Sequence, residues 1–284
     1  MGKIRNSWEI SKQCWRVLML DRELLVFPIM SAGAMLMVIA SFFIPLWESG
    51  LLQSAHEHHE RVTMTQDPAL FAIYFAFYLV SYFVIIYFNS ALISAAMIRL
   101  RGGNPTIGDG LRAANKCLPA ILGWTLLSAV VGMIIQAIEE RVGILGKLVV
   151  GFIGLAWAIA SYFVIPTMVT ENVGPVEALK RSAAIIKKTW GETLTVTVGL
   201  TVLAFGMGLL AMVVIVAGGA LMPTSPVLGG SVMALGMVAF LGGILVTATL
   251  QAILTAALYL YAADGEVPRN FDNALLKTAF VPKS

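Results

Sequence analysis

From Thr193 to Ala263 the chain carries no Asp, Glu, Lys or Arg. Apolar runs beyond about 18 residues read as membrane spans, and a charge-free stretch this long leaves one class open, an integral membrane protein. Composition agrees: only 12% of the 284 residues are charged and mean hydropathy is +0.85, where soluble domains carry about a quarter charged residues.

Six spans follow from the apolar runs, at about Leu24–Trp47, Pro68–Ile98, Leu118–Ile138, Leu148–Thr170, Leu194–Met222 and Ser231–Ala262. The first is far longer than the apolar core of about 7–15 residues in a signal peptide, so it is expected to stay as a span. Of the 19 Lys and Arg, only Arg61, Arg141 and Lys147 fall on one side of this topology. Basic residues are retained on the cytoplasmic side of short loops, so both termini are expected there. The two cysteines, Cys14 and Cys117, fall on that same side and have no Cys or His neighbour at metal-ligand spacing. In a reducing compartment they read as packing residues.

The segment GPVEALKRSAAIIKKTWGE (Gly174 to Glu192) interrupts this pattern. Val176, Leu179, Ala183, Ile186 and Trp190 recur at helical steps, with Lys180, Arg181, Lys187 and Lys188 largely off the stripe. Such a helix is expected to lie on the membrane surface with its cations toward anionic headgroups, each contributing at most about 1 kcal/mol. The design recurs. GGNPTIGDGLRAANKCLP (Gly102 to Pro119) sets Ile107, Leu111, Ala114 and Leu118 on one face, with Arg112 and Lys116 a turn apart. NSWEISKQCWRVL (Asn6 to Leu18) places Trp8, Trp15 and Leu18 along one side, and DGEVPRNFDNALLKTAF repeats the Gly, Pro, Asp order after the last span. Recurrence in fixed order marks an internally repeated architecture. The expected fold is all-α and polytopic: a single membrane domain of three units, about 1–101, 102–172 and 173–263, each a surface amphipathic helix plus a helix pair. A fourth amphipathic segment, 264–284, closes it.

YFNSALISAAMIRLRGGNPTIGDGLRAANKCLPAILGWTLL and VIPTMVTENVGPVEALKRSAAIIKKTWGE resemble signature stretches of a widespread prokaryotic family of six-span membrane proteins with no assigned function. The pattern E…EALKRS…W is more distantly similar to the membrane domain fused to some glycerophosphodiester phosphodiesterases, whose catalytic domain has no counterpart here. The resemblance implies a fold and the prokaryotic inner membrane, and brings no catalytic residues.

Two clusters are candidates for chemistry. SAHEHHERV (Ser54 to Val62) holds all three histidines, and on a helical turn His56, His59 and Glu60 share a face suited to zinc, nickel or copper. A metalloprotease pattern would need His where Glu60 stands, and a solvated loop is the plainer reading of the cluster, with a weak metal contact as the alternative. In the sixth span Ala239, Gly243, Thr247, Gln251 and Thr255 follow at steps of four, and Asn89 lies in the second span. Small and hydrogen-bonding residues at such spacing pack helices or line a path for a polar headgroup or small neutral solute. No convergent catalytic groups, cofactor motif or nucleic-acid surface accompanies them. The expected function is non-enzymatic: binding anionic lipid, or organising a membrane partner or second copy, through Lys180, Arg181, Lys187, Lys188, Arg112 and Lys116. The alternative is a lipid or small-solute transporter using the polar stripe.

Overall fold

The computed structural model describes residues 2–48, 68–188 and 193–272. Among them no strand occurs, and ten α-helices follow in order. These are α1 (Gly2–Leu20), α2 (Val26–Glu48), α3 (Pro68–Leu100), α4 (Ile107–Lys116) and α5 (Leu118–Glu139). Then come α6 (Ile144–Ala160), α7 (Val164–Glu171), α8 (Pro175–Lys188), α9 (Thr193–Leu221) and α10 (Pro226–Tyr259). Six stretches are long and apolar enough to cross a membrane: α2, α3, α5, α6 with α7, α9 and α10. Their outward faces are apolar, with Met37, Leu210 and Val238 each at least 70% exposed. Faces like these call for apolar surroundings, and helices of this length suit hydrocarbon. The fold is all-α with six membrane-spanning helices.

The turn before the sixth span is shorter than the sequence suggests. Ser225 is extended (φ −149°) and Pro226 already sits in the first turn of α10, where a missing N–H costs nothing. The fourth span departs further, because it is broken at Ser161–Phe163 between α6 and α7. Pro166 cannot donate to the carbonyl four residues back, which falls inside the break. Ser182 of α8 repairs the gap: its hydroxyl donates to the Ala160 carbonyl at 2.6 Å and accepts from the Phe163 N–H at 3.0 Å. Ser182 and Phe163 are fully buried. Ser182→Ala strands both groups away from water, so we expect a loss of about 1–3 kcal/mol. Thermal unfolding in detergent measures it, and Ser182→Thr should recover most of it.

The chain divides into two compact units that alternate along the sequence. One comprises Met1–Pro28, Leu92–Gly110 and Ala183–Ser284. Its core joins α1, the last turns of α3 and the end of α10. Helix α1 packs on α9 and α10 through Ile10, Cys14, Val17 and Leu18, all fully buried. Leu18 therefore faces inward while Trp8 and Trp15 stay about half exposed, so the single side expected for these three residues is two faces. The inner one is chosen by packing. Arg99 holds the unit's entry: Nε lies 2.8 Å from Asp21 Oδ2, and the two terminal nitrogens donate to the Gly103 and Leu20 carbonyls. Arg101 pairs with Asp264 at 2.9 Å and Glu266 at 3.2 Å, and the Arg269 N–H donates to the Leu100 carbonyl.

The other unit comprises Ile29–Ala91 and Leu111–Ser182. Phe42 meets Phe77 edge-on, joining α2 to α3, and Trp124 stacks on Trp157 at 5.6 Å, joining α5 to α6. The Tyr87 hydroxyl donates to Asn115 Oδ1 at 2.7 Å, tying α3 to α4. Cys117 donates to the Met168 carbonyl.

The second, fourth and sixth spans end in the same local geometry. Gly102 (φ +90°), Asn172 (φ +50°) and Gly265 (φ +68°) are left-handed, and each stands three positions before a proline, at Pro105, Pro175 and Pro268. A left-handed residue closes a helix by satisfying its last carbonyls, and a proline just beyond prevents resumption.

Candidate functional site

The cations of α4 and α8 point outward. Arg112 and Lys116 are exposed, and in α4 the buried positions are Gly110 and Ala114. A capping box starts that helix, with Asp109 Oδ2 accepting from the Thr106 N–H and hydroxyl, and the Asp109 N–H donating to Thr106 Oγ1. In α8, Lys180, Arg181, Lys187 and Lys188 are exposed. The buried face is Ala178, Ser182 and Ile186, and Val176 is 54% exposed. The expected stripe is thus rotated toward Ala178, because the hydrogen bonds of Ser182 to the break in the fourth span fix the helix about its axis. Trp190, the last residue of that stripe, lies outside the described residues, as do His56, His59 and Glu60.

The four cations are not equivalent. Arg181 is engaged by Glu171 and by Glu177 (3.0 Å), which ties the end of the fourth span to α8. Lys180, Lys187 and Lys188 form no ion pair among the described residues. They are the side chains left to meet an external anion.

A second feature lies between α9 and α10. A groove of about 540 Å³ is lined by Ala204, Phe205, Met207, Gly208, Leu209 and Met212 from one helix. Ala239, Phe240, Gly243, Ile244, Thr247, Ala248 and Gln251 line it from the other. Four residues of the sixth-span stripe, Ala239, Gly243, Thr247 and Gln251, therefore share one concavity. Thr255, half-buried a turn further on, is outside the lining, and Asn89 is half-buried in the second span, in the other unit. The same helices touch closely at their far ends: a Cβ on Gly218 would lie 2.4 Å from the Met233 nitrogen. The groove opens where that contact gives way.

The surroundings of both cysteines disfavour the thiolate. Burial pushes the Cys14 thiol up to about 12, and burial also raises Cys117 despite the neighbouring Lys116. Both stay protonated near neutral pH.

The family model described as a family of unknown function, DUF6159, matches residues 68–269. The chain belongs to that family. Neither a curated protein nor a solved structure is significantly similar to it. The region matched to DUF6159 runs from the second span to just past the sixth, so it contains α4, α8 and the groove, and begins after α1 and the histidine cluster. The i,i+4 spacing of Glu177 and Arg181 already marks the ion pair those two form. Pattern alone misses Ser182, Asp21 and the pairing of Arg181 with Glu171, and the sequence signal for the first is Pro166.

Proposed function

We propose that this membrane protein sits in a prokaryotic cytoplasmic membrane with both termini inside and engages anionic lipid through α4 and α8. The observation that carries the reading is the set of exposed lysines Lys180, Lys187 and Lys188 on a helix whose opposite face is locked into the protein. A cation held on a rigid surface helix loses little further freedom on meeting a headgroup. Arg112 and Lys116 of α4 are exposed as well, and a partner protein or second copy would dock beside such cations. The recurrence of a left-handed residue three positions before proline at three span ends supports three repeated units.

At about 1 kcal/mol per cation near an anionic surface, the three lysines supply about 3 kcal/mol at low salt. Lys180→Gln, Lys187→Gln and Lys188→Gln together are expected to weaken binding of phosphatidylglycerol by roughly 100-fold. The stabilisation that a bound ligand confers gives the readout. Phosphatidylglycerol should raise Tm in neutral detergent more than phosphatidylcholine does, and the triple variant should abolish the difference. Equal shifts from the two lipids in the unmodified protein would sink the reading.

The groove favours a second reading, passage of lipid along the polar stripe of α10. That reading requires lipid flux in vesicles that is lost in Gln251→Leu.

A further inference from the structure

We infer that the groove between α9 and α10 seats one acyl chain of an anionic phospholipid, with the ester region on Gln251 and the phosphate drawn toward Lys187 and Lys188. The inference rests on the anionic-lipid reading above and names where such a lipid is held.

The groove has the dimensions of one leaflet. From Ala239 to Gln251 is twelve helical steps, about 18 Å, against about 15 Å for half the hydrocarbon core. Its wall is apolar for most of that length, formed by Phe205, Met212, Phe240 and Ile244, with polar groups at one end only, Thr247 and Gln251. The large exposed apolar side chains of α10 run from Val227 to Ile244 and stop there. Gln251 stands seven residues beyond, about 10 Å along the axis, at the polar end of the groove.

Gln251 is exposed and makes no hydrogen bond among the described residues. An amide at that depth gains from an ester carbonyl, which accepts its N–H. The end of the groove is also the basic end of this helix pair. Helix α8 closes on Lys187 and Lys188, α9 begins five residues later, and α10 returns antiparallel, which brings Gln251 to about two turns inside the start of α9. An apolar chain slot, an amide and a pair of cations, in that order along one axis, match a phospholipid from tail to phosphate.

The test places the full-length protein in vesicles of phosphatidylglycerol and phosphatidylcholine. The probe is a trace of phosphatidylglycerol bearing a diazirine on one acyl chain, and crosslinked peptides are mapped after illumination. Crosslinks should concentrate on residues 204–212 and 239–251. They should fall about tenfold in Gly243→Leu, the displacement of roughly two buried methylene groups. Gly242→Leu is the control: its Cβ meets nothing within 4 Å and it does not line the groove, so crosslinking should persist. A phosphatidylcholine carrying the same diazirine should crosslink about fivefold less or weaker still. Crosslinks spread evenly over the outward faces of all spans, or unchanged in Gly243→Leu, would overturn the proposal. So would a groove occupied by a second copy of the chain, seen as protein–protein crosslinks there with no lipid adduct. If these fail while the phosphatidylglycerol-specific Tm shift survives, the groove is wrong and the surface-lysine reading stands.

Discussion

Arg99→Ala is expected to lower unfolding free energy by about 3–5 kcal/mol. The side chain is mostly buried, paired with an Asp21 carboxylate that is itself buried, and donates to two backbone carbonyls. Removing it leaves an uncompensated carboxylate beside two orphaned acceptors, which is the costly way to break a buried pair. The Arg99–Asp21 contact also fixes where the chain turns from α1 into the first span, so α1 should loosen with it. Arg99→Lys keeps the charge and loses the planar fork, and should fall between. Unfolding monitored by tryptophan fluorescence in detergent reads both variants. A change below about 1 kcal/mol for Arg99→Ala, the level of an exposed pair, would contradict this account.

Gly236→Leu is the second large effect. A Cβ there would sit 2.8 Å from Ile215 Cγ1 and 2.9 Å from the Ile215 nitrogen. A backbone atom cannot swing aside, so α9 and α10 must separate. A Cβ on Gly218 or Gly229 would likewise lie 2.4 or 2.6 Å from backbone nitrogen across the pair, and the three glycines together let these helices touch. Overpacking costs about 1–3 kcal/mol and more where backbone must move, and we expect the upper end, near 3 kcal/mol. Gly219→Leu provides the contrast, because nothing lies within 4 Å of its Cβ and leucine is the better helix former. It should be neutral or slightly stabilising.

Much of this molecule is legible in one sequence, for a physical reason. A bilayer allows few solutions to the problem of unpaired backbone groups, so apolar length alone locates six helices. Amphipathic spacing locates α1, α4 and α8 equally well. What spacing does not determine is which face of a surface helix turns inward. In α1 two apolar faces compete, Ile10–Cys14–Val17 against Trp8–Trp15, and contact with α9 and α10 decides between them. In α8 two hydrogen bonds from Ser182 outweigh a hydrophobic stripe containing Val176. The break in the fourth span shows the same limit. Pro166 marks a weak point, yet helices in membranes often absorb a proline, and the partner that permits a full break lies in the next helix. The sixth-span stripe was visible as a pattern of small and polar residues, but the groove it lines depends on the depth at which α9 stops touching α10.

The most direct test of the proposed lipid-engaging surface is native mass spectrometry of the protein released from nanodiscs of equal phosphatidylglycerol and phosphatidylcholine. Retained lipid should be strongly enriched in phosphatidylglycerol at fixed stoichiometry, with the enrichment lost when Lys180, Lys187 and Lys188 are neutralised together. Retained lipid matching the composition of the bilayer, unchanged by the three substitutions, would contradict the proposal.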